Sequence, residues 1–121
     1  MSPRRPLLAL AALAAATAAL SQPKPVEERR MAEVERGRAV AEARCAACHA
    51  VAANSASPNP ESPGFEDIAN RKGLTSATLR EYLRNAHNYP DAMQFKLDRG
   101  QVRDLSAYIV TLKRSDYKPA I

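Results

Sequence analysis

Hydrophobic residues recur every three or four positions in three stretches of this chain, a spacing that predicts amphipathic helices. The first stretch runs from about Val26 to Cys45, where strong helix formers dominate and Val34, Ala41 and Cys45 share one face. Gly37 interrupts this helix at a cost of about 1 kcal/mol against alanine. Such a glycine is either tolerated or marks a place where another backbone comes close.

Two further helices are predicted nearer the C-terminus. The earlier one has Thr75 as its N-cap and ends at about His87, with an apolar stripe formed by Leu79, Tyr82 and Leu83. A short helical turn is expected before it, over residues 65–70. Three prolines prevent regular structure in the preceding segment, residues 50–63.

The last helix is predicted to begin after Asp98 and to end at about Lys113. Asp98 and Gln101 have the spacing of a capping box. The residues at helical spacing behind them form an apolar face: Val102, Leu105, Ile109 and Leu112, flanked by Tyr108. No stretch shows convincing strand-like alternation, so the chain is predicted to be all-α.

An apolar run from Leu7 to Leu20 follows two basic residues, Arg4 and Arg5. This order is typical of a secretory signal peptide, and small residues suited to cleavage stand at 16–18 and 19–21. A membrane helix is the alternative, but spanning requires roughly 20 apolar residues. No cysteine stands at the end of the run to carry a lipid, so no stable membrane anchor is expected. We predict a signal peptide over 1–21, a tail and the start of the first helix over 22–31, and one domain over 32–121.

The composition is that of a small domain with few aromatic residues for its core. The chain has two Phe, four Tyr and no Trp, and small domains often need a cofactor or staple to complete a core. Its 18 basic and 13 acidic residues give a charge of +5, which falls to +3 without Arg4 and Arg5. That excess is too small, and too poor in interleaved aromatic residues, to indicate nucleic-acid binding. It suits either an ordinary solvated surface or attraction to an acidic protein partner.

Candidate chemistry is concentrated in the run Cys45–His49, which reads Cys-Ala-Ala-Cys-His. This spacing is the attachment signature of c-type haem. One turn of helix places both sulfurs at one edge of the macrocycle and aims the next imidazole at the metal. Cys45 and Cys48 are therefore predicted to form thioethers to a single haem, with His49 as the proximal iron ligand.

Other interpretations of these cysteines are weaker. A thiol–disulfide redox pair would follow a strand, and no strand-like pattern precedes Cys45. A structural zinc site needs about four ligands, whereas the motif supplies three and the only other histidine of the chain is His87. A disulfide between Cys45 and Cys48 would leave His49 without a role.

The iron needs a second axial ligand, and three residues offer a suitable atom: Met31, His87 and Met93. Met31 lies in the first helix before the motif, where packing or solvent exposure is the simpler role, and His87 is expected at a helix end. Met93 lies in an irregular segment well after His49 and can approach the distal face, although methionine also fills gaps in cores. We predict His49/Met93 ligation, which raises the reduction potential.

With these residues in place, the chain resembles the small monohaem class I cytochromes c of bacteria over about residues 32–113. The resemblance rests on the haem motif, the Met93 loop and residues 104–109. It implies a cytochrome c-like bundle of about three to five helices around one covalently bound haem. It also implies that the haem is attached outside the bacterial cytoplasm.

The same resemblance assigns roles to three further residues. Gly37 and Tyr108 match the place where the first and last helices of the family cross, and Pro63 matches a proline whose carbonyl accepts a hydrogen bond from the proximal histidine. The chain departs from the family at two positions. Ala41 stands where an aromatic residue is frequent, and Gln94 follows Met93 where proline is frequent.

Two filled axial positions and the resemblance together predict a periplasmic electron carrier, not an enzyme. It is expected to be a monomer that docks briefly, through a small interface, with redox proteins such as a dehydrogenase, an oxidase or a reductase. Two alternatives stay open. One is the haem subunit of a fixed dehydrogenase complex, and the other is a haem-based sensor with a labile or absent sixth ligand.

Overall fold

The computed structural model describes residues 24–85 and 96–119. These ranges contain no strand and form four helices: α1 (Val26–Arg44), α2 (Phe65–Ala69), α3 (Ser76–Asn85) and α4 (Arg99–Thr111). The predicted all-α class is confirmed. The α4 helix packs against each of the other three, most extensively against α1. None of the helices in the two ranges is long and apolar enough to cross a membrane. The predicted signal peptide lies outside them.

Local hydrogen bonds determine where α3 begins and where α4 begins and ends. Thr75 caps α3, because its hydroxyl accepts the backbone N–H of Thr78 at 3.1 Å. Asp98 and Gln101 form the predicted capping box at the start of α4, with bonds of 2.9 and 3.0 Å. The α4 helix ends two residues before the predicted Lys113, where a tight 3.0 Å bond from the Leu112 N–H to the Ile109 carbonyl closes the last turn.

The core lies where α4 meets α1 and α3. The predicted apolar face of α4 is confirmed, since Val102, Leu105 and Ile109 are each at most 2% exposed. Leu79 and Leu83 are buried as predicted from α3. Tyr82, the third residue of that stripe, is 55% exposed.

Gly37 allows α1 and α4 to cross in close contact. A Cβ atom at this position would lie 1.9 Å from the carbonyl oxygen of Asp104 and 2.8 Å from Cβ of Tyr108. The close approach of another backbone, one of the two explanations for this glycine, is confirmed. Ala41, one turn further along α1, is fully buried in the same core, so the small side chain fits where an aromatic residue is frequent in the family.

Asp104 places a buried carboxylate at the α1–α4 crossing. Its oxygens accept hydrogen bonds from Nε of Arg36 at 2.7 Å and from Nε of Arg103 at 2.9 Å. Burial alone would raise the pKa of Asp104, but the bonds from the two arginines outweigh it and hold the pKa below its ordinary value. The carboxylate therefore stays charged and joins the two helices.

We expect Asp104→Asn to lower the free energy of unfolding by about 2 kcal/mol at neutral pH, the usual contribution of a charged hydrogen-bond pair. Because the folded pKa lies below the unfolded value of about 3.9, this stabilisation is complete above that value. It is lost as the pH falls through the folded pKa. Urea unfolding at neutral and acidic pH measures the difference between variant and wild type, which should shrink on acidification.

The exposed pair of Arg38 and Glu42 on α1 provides the control, since its side chains are 57% and 54% exposed. Glu42→Gln should change the unfolding free energy by less than about 0.5 kcal/mol. A destabilisation by Asp104→Asn that stayed the same at all pH values would contradict the role given to its charge.

Candidate functional site

The haem motif continues directly from the end of α1. The N–H of Cys45 donates to the Ala41 carbonyl at 2.9 Å, and the Cys45 carbonyl then accepts the N–H groups of Cys48 and His49 at 3.1 and 2.9 Å. These bonds form one helical turn over residues 45–49. As a result, Cys45, Cys48 and His49 line the same cleft.

The two cysteines form no disulfide and lie in different surroundings. Cys45 is 8% exposed and belongs to the core cluster, whereas Cys48 is half-buried. Burial raises the pKa of the unattached Cys45 thiol to about 11. Redox-active cysteines instead have lowered pKa values and accessible sulfurs. Within residues 24–85 and 96–119, no three His, Cys, Asp or Glu side chains are grouped as metal ligands.

His49 is oriented by a hydrogen bond from its ring to a backbone carbonyl. Its Nδ1 lies 2.8 Å from the carbonyl oxygen of Pro63. Because a carbonyl can only accept, Nδ1 carries a proton, and Nε2 is the nitrogen left to bind a metal. The ring of Phe65 packs near the imidazole, with centroids 5.5 Å apart and planes tilted by 44°. The histidine is thus held in the tautomer that a metal requires.

Two backbone hydrogen bonds fix the loop that brings Pro63 to the histidine. The N–H of Asn59 donates to the Cys48 carbonyl at 3.2 Å, and the N–H of Phe65 donates to the Ala50 carbonyl at 2.8 Å. They tie both ends of the proline-rich loop to the residues beside His49. The loop between the motif and α2 therefore has a defined path although it has no regular structure.

The cleft beside the motif has a volume of about 480 Å³, which lies within the range of cofactor and small-molecule sites. Its walls are largely apolar and come from α2, α3, α4 and their connections: Phe65, Ile68, Leu74, Leu79, Leu83, Leu105 and Ile109. Apolar walls with two thiols and one oriented imidazole on the same side match the donor set of a covalently attached haem. The residues present fit that group.

Several residues of the cleft were not singled out by the sequence. Phe65 lines it, and so do two basic residues, Arg44 and Arg71. Tyr82 also lines the cleft, and its place in the apolar stripe of α3 had indicated that it makes a contact. The short α2 is too brief for periodicity to indicate the role of Phe65.

Of the three candidates for the second axial ligand, the structure describes only Met31. His87 and Met93 lie outside the described residues. Met31 is 65% exposed on α1 and is not among the residues that line the cleft, in agreement with its assignment to packing or solvent.

Comparison with known proteins agrees with this geometry. Residues 34–113 match the Cytochrome c family, a range that contains the motif and helices α2 to α4 complete. The chain is 33% identical to Cytochrome c-552 of Bradyrhizobium diazoefficiens over 82 residues, which cover 68% of this chain and 77% of that protein. No solved structure gives a significant match. This chain therefore belongs to the cytochrome c family, as a small class I c-type cytochrome of the kind that transfers electrons on covalently bound haem.

Proposed function

We propose that this cytochrome is a periplasmic electron carrier with one haem, bound by Cys45 and Cys48 and ligated by His49 and Met93. The observation that best supports the proposal is that both thiols and the oriented imidazole line one apolar cleft. Two thioethers would keep the haem from dissociating during repeated oxidation and reduction. When bound, the haem supplies an iron that gains and loses one electron.

The proximal side is organised by the chain itself. His49 would present Nε2 to the iron while Nδ1–H donates to the Pro63 carbonyl. This second hydrogen bond fixes the ring and makes the imidazole a more basic ligand. Arg44 and Arg71 line the cleft, where their charges would balance the acidic groups of the haem.

Met93, which lies outside the described residues, would supply the second iron ligand. Its thioether is a soft, neutral ligand that favours reduced iron and raises the potential. If His49 and Met93 both ligate the iron, no coordination position would be open for oxygen or peroxide, and this would favour electron transfer over catalysis or sensing. The predicted signal peptide supports export to the periplasm, and a charge of +3 without it suits brief docking of a monomer to acidic faces of redox proteins.

Removing both thiols should remove the covalent attachment. We expect Cys45→Ala combined with Cys48→Ala to lose essentially all haem on extraction with acidified organic solvent. Wild type should retain its haem, and each single variant should hold part of it through one remaining thioether. The readout is the haem absorbance left with the denatured chain after export in a strain that attaches c-type haem.

Met93→Ala is the control, because loss of an axial ligand leaves both thioethers in place and the haem should stay with the chain. Extraction of haem from the wild-type protein would contradict covalent attachment. Stable co-purification with a dehydrogenase subunit would replace the free carrier with the fixed-complex alternative.

A further inference from the structure

Glu66 is a buried carboxylate of α2, 9% exposed, to which neither the motif nor the helix pattern gives a role. Its Oε2 accepts the backbone N–H of Asn54 at 2.7 Å. Its Oε1 is buried without an aligned hydrogen bond and lies 3.0 Å from Nε of Arg114. A buried carboxylate is unfavourable unless charge and hydrogen bonds offset its desolvation. We call Glu66, Asn54 and Arg114 the tail clasp.

Asn54 is held in a backbone conformation that needs support. Its φ of 54° is the only positive value for a residue other than glycine in the two described ranges. Such a conformation costs about 1 kcal/mol and persists where surrounding contacts fix it. The Asn54 side-chain oxygen also accepts a long hydrogen bond, 3.4 Å, from Arg114. Glu66 and Arg114 therefore hold the loop that follows the haem motif.

The segment after α4 is tied to α2 by further contacts. The backbone N–H of Arg114 donates to Oδ1 of Asn70 at 2.9 Å, and Nδ2 of Asn70 donates to the Leu112 carbonyl at 3.3 Å. The hydroxyl of Tyr117 donates to the carboxylate of Asp67. Arg114 is thus presented to Glu66 from a segment that is itself fixed to α2.

A single backbone hydrogen bond connects the tail clasp to the residue next to His49. Glu66 follows Phe65, whose N–H is bonded to the Ala50 carbonyl at 2.8 Å, and Ala50 follows His49. Pro63, which accepts the 2.8 Å hydrogen bond from His49, lies at the other end of the same loop. A movement of α2 against residues 50–54 would therefore change the length of the His49–Pro63 hydrogen bond.

We propose that Glu66 and Arg114 are positioning residues that tune the reduction potential by holding the Pro63 carbonyl against His49. The inference rests on the proposed function, in which His49 ligates the haem iron. A hydrogen bond at Nδ1 makes the imidazole more basic, and a more basic ligand favours oxidised iron. Loosening the tail clasp therefore raises the potential, whichever of the two residues is removed.

The two variants remove charges of opposite sign, which separates a positioning effect from a charge effect. Glu66→Ala removes a negative charge and Arg114→Ala a positive one, so a simple charge effect would shift the potential in opposite directions. If the two residues act by positioning, the reduction potential should rise in both haem-loaded variants. The expected size is an about threefold change in the equilibrium between oxidised and reduced iron. For one electron this is about 30 mV, from 59 mV for each tenfold change. The exchange rate of the His49 Nδ1 proton, followed by NMR, should increase in both variants.

Lys113→Ala is the matched control for Arg114→Ala, because it removes the same charge from the exposed neighbouring position. It should not raise the potential or speed the exchange of the Nδ1 proton. Opposite shifts for Glu66→Ala and Arg114→Ala, or an unchanged exchange rate, would overturn the inference. If Glu66→Ala yields no haem-loaded protein, Arg114→Ala decides alone. A wild-type protein without a reversible one-electron couple would contradict the proposed function itself, independently of these variants.

Discussion

Replacing Met93 with alanine is expected to lower the reduction potential by roughly 0.1–0.3 V, within the roughly 0.8 V range that axial ligands span. The thioether stabilises reduced iron, and alanine offers no atom to replace it. The variant should also open the sixth coordination position. The reduced variant should then bind carbon monoxide rapidly, whereas the wild-type protein should bind it slowly. Potentiometric titration and stopped-flow mixing with carbon monoxide measure the two effects.

Met31 offers a matched control within the same chain. It is 65% exposed on α1, so Met31→Ala removes a methionine without removing a ligand or a core contact. Its potential and carbon monoxide kinetics should equal those of the wild type. If Met93→Ala also left both unchanged, Met93 would not be the ligand, and His87 would be the next residue to replace.

Replacing Gly37 with alanine is expected to destabilise the fold by about 3 kcal/mol or more, at or beyond the upper end of the usual effect of overpacking. The added methyl group would lie 1.9 Å from the backbone oxygen of Asp104. A backbone atom cannot rotate away as a side chain can, so α1 and α4 must separate. A whole domain has only about 5–15 kcal/mol of stability, so the midpoint of guanidinium unfolding should fall markedly.

Gly100 supplies the comparison for this second prediction. It lies in the first turn of α4, where an added Cβ would lie 3.2 Å from a carboxylate oxygen of Asp98. That side chain can adjust, and alanine is the better helix former by about 1 kcal/mol. Gly100→Ala should therefore change stability by about 1 kcal/mol or less. Equal effects at the two glycines would show that helix propensity, not the close crossing, determines the outcome.

Local chemistry explains why the fold was largely predictable. The capping box of Asp98 and Gln101, the apolar face of α4 and the N-cap at Thr75 each depend on residues within one or two turns. The sequence therefore contains everything that such features need. Gly37 was informative for a different reason. Glycine lowers the stability of a helix, so its presence inside α1 indicated that a neighbouring element leaves no room for a side chain.

Features that depend on contacts between distant segments were not predictable. No local pattern marks Glu66 or Arg114, because the two residues are far apart along the chain. Only the fold brings Arg114 within 3.0 Å of Glu66. Periodicity placed Tyr82 in the apolar stripe of α3, but spacing alone does not show whether a side chain is buried in the core or lines a cleft. The Pro63 contact came from the family resemblance, since nothing in the local pattern selects one of three prolines in that loop.

The most direct test of His49/Met93 ligation is an optical spectrum of the exported, haem-loaded protein in its oxidised and reduced forms. We predict sharp α and β bands in the reduced protein and, in the oxidised protein, the weak far-red band that arises from sulfur coordination to ferric iron. Absence of that band together with high-spin features would contradict Met93 ligation. An open or replaced sixth position would then make ligand sensing the leading function.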